Sequence, residues 1–352
     1  MAHLTDNFTS ETPLSPAVRE AISAAFEQGW GDPKKQSQAS ARAAILLEGA
    51  KSEIAGHLKT TPDRLEVIGE PALLHFIALQ GFLQAHSSLY TSTIDVGKVR
   101  AVARPIADES KVIGVDENGR LLIAGVKFEK NAVISLQATN GESGATQDLE
   151  YLRDHSSKVI VDATRSLTNR DFVTGFAATT FDASSWSGPQ GIGFININDA
   201  KSFKYPLPHI APIRVPGSYS LPLLIGSAIA LNKFMGEIEK LISLRKTLAE
   251  SLHGLSGVTV LASESGSDSR YLSIIVDEVS SEEVLRSLLK ENLAIDAGSA
   301  CSPEDLTPSH VIASMGFPTT GHLRFTLHSH HTSGDIERAV ATLKKVLSEL
   351  RS

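Results

Sequence analysis

A single cysteine, Cys301, among 352 residues excludes any intramolecular disulfide and puts all thiol chemistry on one residue. No run approaches the ~18 consecutive apolar residues that cross a bilayer, and the opening MAHLTDNFTSETPL lacks the basic-then-apolar pattern of an export signal. No membrane role and a cytoplasmic address are the expectation. The 33 lysines and arginines are outnumbered by 40 acidic residues, giving a net charge of -7, and they are scattered rather than gathered into stripes. Nucleic acid is therefore not expected as a ligand. Internal repeats and low-complexity tracts are also lacking.

What is present is 41% apolar residues, enough for packed cores in one large domain and a smaller one. Helical and strand patterns alternate, which implies an α/β fold around a largely parallel sheet. SPAVREAISAAFEQGW reads as a helix, with Pro16 in its first turn and Val18, Ile22 and Phe26 on one face. Five short runs rich in β-branched residues read as buried strands: 131–139, 158–163, 191–197, 270–276 and 322–327. Residues 231–255 read as one long helix that carries the domain boundary. The expected division is an N-terminal segment 1–20 packing with the small domain, a large domain 21–245 and a small domain 246–352. Ile336, Val340, Leu343 and Leu347 mark one face of a closing helix. The three histidines of LHSHHT suggest a metal only weakly, because alternate strand residues face opposite ways and no cysteine or carboxylate cluster joins them. No metal is expected.

The segment DAGSACSPEDLTPSHVIASMG, followed by LRFTLHSHHTSGDIERAV, resembles the C-terminal region of cysteine desulfurases of the class V aminotransferase superfamily. TDNFTSETPLSPAV, GDP at 31–33, TNGESGATQ, VIVDATRS and GPQGIGF extend the resemblance along nearly the whole chain. It implies the pyridoxal-phosphate-dependent transferase architecture (fold type I): a mainly parallel seven-stranded sheet in a large domain, a smaller C-terminal α/β domain, and a homodimer. It also implies a lysine joined to pyridoxal phosphate as a Schiff base, and a loop cysteine that takes up sulfur as a persulfide. Cys301 stands at that cysteine's place, although a small residue filling a turn would read the same way. Asp162 matches the aspartate that pairs with the pyridinium nitrogen, with Arg165 or the backbone as its partner if no ring is there. Asn140 matches an asparagine beside the ring's phenolic oxygen, or is simply a turn residue before Gly141. Ser218 falls where a threonine of the neighbouring subunit reaches the phosphate. Arg324 matches the arginine that grips the substrate carboxylate, a task suited to a planar guanidinium, or makes an interdomain ion pair.

Three matches fail. Ser185 stands at the lysine's position, preceded by Ser184 where a histidine is usual, and no lysine lies between Lys158 and Lys201. A hydroxyl cannot condense with the cofactor's aldehyde. The family's hydroxyl-rich phosphate run is replaced by Ile68, Gly69, Glu70, Pro71, Ala72 and Leu73. Pro71 removes an amide donor there, and Glu70 brings a carboxylate that either repels a phosphate or simply favours a helix start. Val96 replaces the histidine that stacks on the ring. These departures give the expectation that no cofactor is bound and that catalysis has been lost, leaving a binding or regulatory protein of sulfur metabolism with a protein partner or a small carboxylate as ligand. A persulfide relay on Cys301 is one alternative. An active cysteine desulfurase or class V aminotransferase holding pyridoxal phosphate noncovalently is the other.

Overall fold

The computed structural model describes residues 4–28, 31–167, 170–209, 219–266, 268–298 and 308–352. In chain order its elements begin with β1 (Asn7–Phe8), α1 (Pro16–Glu27), α2 (Gln38–His57), β2 (Leu65–Ile68), α3 (Leu74–Gln80), β3 (Leu89–Ser92) and α4 (Gly97–Ala103). They continue through β4 (Ser110–Ile113), β5 (Val133–Gln137), β6 (Lys158–Asp162), β7 (Ala178–Asp182), β8 (Gly193–Ile197), α5 (Leu221–Met235) and α6 (Ile238–His253). The last are β9 (Val258–Val260), β10 (Tyr271–Val276), α7 (Ser281–Lys290), β11 (Ala294–Ala297), α8 (His310–Ser314), β12 (His322–Thr326) and α9 (Ser333–Leu350).

Seven strands form one sheet in the order β2-β8-β7-β6-β5-β3-β4, and all pairings from β7 to β4 are parallel, while β8 runs against both its neighbours. VISLQ in β5 and GFINI in β8 are buried at every position, as strands covered by helices on both faces must be. A second sheet has the order β1-β11-β12-β10-β9. Its edge strand β1 comes from the start of the chain and pairs in parallel with β11. The sequence-level expectation of a mainly parallel seven-stranded sheet accompanied by smaller α/β structure matches this architecture.

Each expected strand is found, trimmed by a residue or two at its ends. The expected helix 231–255 is instead two helices, α5 and α6, bent by 62° at Gly236–Glu237. Gly236 caps α5, and apolar periodicity carries on in α6 about a new axis, so a one-dimensional pattern hides the corner. Phe26, expected on the apolar face of α1, is 60% exposed, whereas Val18 is fully covered. The closing helix α9 begins with a reciprocal cap in which Thr332 and Asp335 satisfy each other's backbone amides.

The parallel strands set the site. Asp95 follows the C-terminal end of β3, Asn140 that of β5, Asp162 ends β6, and Ser185 follows β7. Ligands of open α/β sheets sit at this rim, because side chains from successive strand ends converge there.

Candidate active site

Asp162 lies at the bottom of the crevice, 3% exposed. Its carboxylate accepts from the Thr164 amide (2.9 Å) and the Thr164 hydroxyl (2.6 Å), and His75 Nε2 stands 2.9 Å from Oδ2. His75 thus stands at ion-pair distance from the carboxylate, and its Nδ1 has no hydrogen-bond partner among the described residues. Burial alone would raise the Asp162 carboxyl; the imidazole charge and the Thr164 donors outweigh it and hold it at about 2. Asp162 is therefore ionised. The partner anticipated from sequence, Arg165 or backbone, is only half the answer. His75 is the residue sequence reasoning missed, and its signal was one polar side chain inside the apolar run ALLHFIAL.

Asp95, 1% exposed, faces the same pair from β3 and accepts the Ser92 amide at 2.8 Å. Burial pushes its carboxyl up to about 7, and the negative charge of Asp162 adds to that. Asn140 is buried and fully engaged: its amide donates to Ile94 O (3.0 Å) and Gln137 Oε1 (2.8 Å), and its oxygen accepts from the Glu142 and Ser143 amides. The turn-residue reading of Asn140 describes its hydrogen bonds, and its side of the turn also lines the cavity.

Ser185 is 2% exposed in a single 3-10 turn that follows β7, and its hydroxyl donates to the Asp182 carbonyl at 2.7 Å. Ser184 donates to the Asp182 carboxylate. Glu70 turns its carboxylate onto its own helix start, accepting from the Ala72 amide at 3.2 Å. This is the local capping role; the carboxylate occupies the amide end that an incoming anion would need. Val96 caps α4 and is partly buried against the core.

The opposite wall is built by the second sheet. Arg324 of β12 donates to Asp296 Oδ2 at 2.7 Å, a cross-strand pair with β11, and its other terminal nitrogen reaches across to Gly141 O at 3.1 Å. Arg324 and Asn140 line one cavity of about 250 Å³ together with Arg165, Tyr271, His310 and Glu142. The structure therefore brings Asn140 and Arg324 to a single cavity, while Asp162 at the end of β6 and Ser185 after β7 are buried and do not line it. Cys301 and Ser218 lie outside the described residues. The LHSHHT histidines are elsewhere: His328 Nε2 donates to Thr9 O (2.8 Å) and His331 Nε2 to Asn7 O (3.1 Å), pinning the N-terminal segment. Burial depresses both imidazoles, to about 3 and about 4, so they serve as neutral donors.

A sequence profile of the family described as aminotransferase class-V matches residues 216–339. A cysteine desulfurase of Rhodobacter capsulatus is 24% identical over 99% of this chain and 97% of its own length. The chain is thus similar to the class V aminotransferase family over residues 216–339 and to cysteine desulfurases along nearly its whole length. The cysteine desulfurase IscS of Dictyoglomus turgidum is 23% identical over 98% of this chain and 95% of its own length. Among solved structures, a NifS-like protein superposes with a TM-score of 0.84 at 18% identity, covering 99% of this chain and all of that one. An apo cysteine desulfurase from Thermococcus onnurineus gives the same TM-score at 16% identity, covering 98% and 94%. The chain has the fold type I architecture of pyridoxal-phosphate enzymes.

Two expectations are corrected by these relatives. The reading of a protein that has lost catalysis does not stand beside matches to cysteine desulfurases that run through 98–99% of the chain. Nor does the expectation of no cofactor, since the relatives point to pyridoxal phosphate. The expectation rested on three departures together, at Ser185, at Glu70 and Pro71, and at Val96. A lysine anchors the cofactor, whereas the electronic work belongs to the cofactor itself and to the groups that tune it.

The described residues fit the cofactor's ring. Asp162 is a buried, ionised carboxylate of the kind a protonated pyridine nitrogen requires, and Nδ1 of His75 beside it is a buried polar atom without a hydrogen-bond partner among the described residues. The fit does not extend to a lysine linkage, and the hydroxyl-rich phosphate cradle is replaced by the Glu70 cap.

Proposed function

We propose that this chain is an enzyme of the cysteine desulfurase kind, acting on a small amino acid, with pyridoxal phosphate held by noncovalent contacts. The observation that carries the reading is Asp162, a buried carboxylate kept ionised at the end of β6. Support also comes from the relatives, whose cysteine desulfurase names apply to proteins matched over their whole length. When bound, the cofactor supplies an electron sink for cleavage at the substrate's carbon–sulfur bond. Asp162 would hold the ring nitrogen in its charged form, sharing its carboxylate with His75, and Asn140 would border the ring. Arg324 would take the substrate's carboxylate, exchanging the Asp296 carboxylate for it with little loss of hydrogen bonding. The buried Ser185 hydroxyl, committed to Asp182 O, brings no amine, so retention rests on shape and charge alone. The same reading includes a homodimer, a sulfur-accepting protein partner and a persulfide on Cys301, on the strength of family resemblance.

Titration of the purified protein with pyridoxal phosphate, followed by absorbance and then by sulfide release from cysteine, tests this. The expected result is saturable binding that dialysis reverses, with sulfide release only while the cofactor is present. Absence of both binding and sulfide would overturn it.

A further inference from the structure

Two arginines, Arg324 and Arg165, line the cavity, with Glu142 as the carboxylate beside them. Arg324 is matched by Asp296, but Arg165 stands exposed in the cavity wall with no carboxylate at ion-pair distance among the described residues. Its stem lies on Gly141, where an added Cβ would come within 2.9 Å of Arg165 Cγ, so only glycine leaves the arginine this path. The phenol of Tyr271 lines the same cavity. Behind Tyr271 lies Arg270, 3% exposed, with Nη2 at 3.5 Å from the phenol oxygen and 3.3 Å from Ser184 O. Its Nε and Nη1 have no hydrogen-bond partner among the described residues. A guanidinium buried in this way is costly unless an anion comes within reach of its field. Burial would raise the Tyr271 phenol, yet Arg270, Arg165 and Arg324 together bring it down to about 8, which shows how strongly positive this end of the cavity is.

We propose that Arg165 and Tyr271, backed by Arg270, form a second anion pole in the cavity, so that the preferred ligand is an amino acid whose side chain ends in an anionic group. Aspartate and the thiolate form of cysteine both meet that description, with the α-carboxylate at Arg324 and the side-chain anion at Arg165. The assignment rests on the proposed function only for the α-carboxylate; the second pole stands on Arg165, Arg270 and Tyr271 themselves.

The test uses aspartate, its uncharged isostere asparagine, and alanine, each titrated calorimetrically into the full chain without cofactor, so that its outcome is independent of sulfide release. Aspartate is expected to bind about tenfold or more tightly than asparagine, as a charge-assisted guanidinium contact allows. In Arg165→Gln that preference is expected to shrink to within about twofold, while alanine binding stays as it was. Arg165→Lys, which keeps the charge and loses the fork, should retain part of the preference. Equal binding of aspartate and asparagine, a preference that survives Arg165→Gln, or no binding of any of the three at millimolar concentration would each overturn the proposal. Sulfide release from cysteine without an aspartate preference would sink the second pole and leave the proposed function standing; the reverse result would do the opposite.

Discussion

The two walls of the cleft differ in how their charges are settled. On the seven-stranded sheet the acids are provided for: Asp162 has Thr164 and His75, Asp95 has the Ser92 amide, and the Asp182 carboxylate has Ser184. On the five-stranded sheet the cations are not: Arg270 leaves two nitrogens without a partner, and Arg324 leaves its Nε. A wall whose acids are paired is a frame, whereas one whose arginines keep spare donors is suited to receive an anion. Ligand selection should therefore reside mainly in the cationic wall, and the electronic role in Asp162.

The largest effect that would break this contrast is at Asp162. Asp162→Ala should reduce sulfide release by at least about 100-fold, in line with the loss of a preorganised charge at a reacting group. An activity within tenfold of the unmodified protein would deny the frame any chemical role. Next comes Asp95. Its folded-state carboxyl, near 7, lies above the ordinary 3.8, so the folded protein holds the proton more tightly than the unfolded chain. That contribution is complete below pH 3.8 and is lost as the pH rises toward 7. Asp95→Asn, which still accepts the Ser92 amide, should flatten this slope and leave the protein more stable at pH 7 by about 2 kcal/mol, below the ceiling of ~1.4 kcal/mol per pKa unit. Denaturant melts at pH 4.5, 6 and 7.5 measure it, and an unchanged slope would remove Asp95 as its source. On the cationic wall, Arg324→Lys should weaken amino-acid binding about tenfold, because an ammonium cannot hold a carboxylate, Asp296 and Gly141 O in one plane. Calorimetry showing unchanged affinity would mean the ligand lies elsewhere. The smallest effect is a control remote from the cleft: Thr332→Ala should cost about 1 kcal/mol of stability through the α9 cap, with ligand affinity untouched.

Much of the frame was legible in the sequence and little of the receiving wall was. Buried parallel strands announce themselves as β-branched runs, and Asp162 stood out as a carboxylate closing one of them. His75 did not, because its partner lies 87 residues away by number and is met only once α3 packs on the sheet. Arg270 and Tyr271 were hidden differently. They open a strand that reads as core, and nothing local tells that Arg270 is directed at a phenol rather than at water. Their relation to Arg165 exists only across two sheets. The missing lysine, the Glu70 and Pro71 run and Val96 were all legible and still misled, since together they were counted as the loss of the whole site.

The pairing of Asn7–Phe8 with Ala294–Ile295, held from behind by His328 and His331, also bears on how the molecule is made. On the ribosome the first strand emerges long before its partners exist. Through the synthesis of nearly 290 further residues β1 has nothing to pair with, while the seven-stranded sheet, complete by Ile197, is free to assemble. The second sheet is consequently the late-forming, high-contact-order part of the fold. A nascent chain stalled before residue 294 would carry a built crevice floor and an N-terminal strand still waiting for its neighbour.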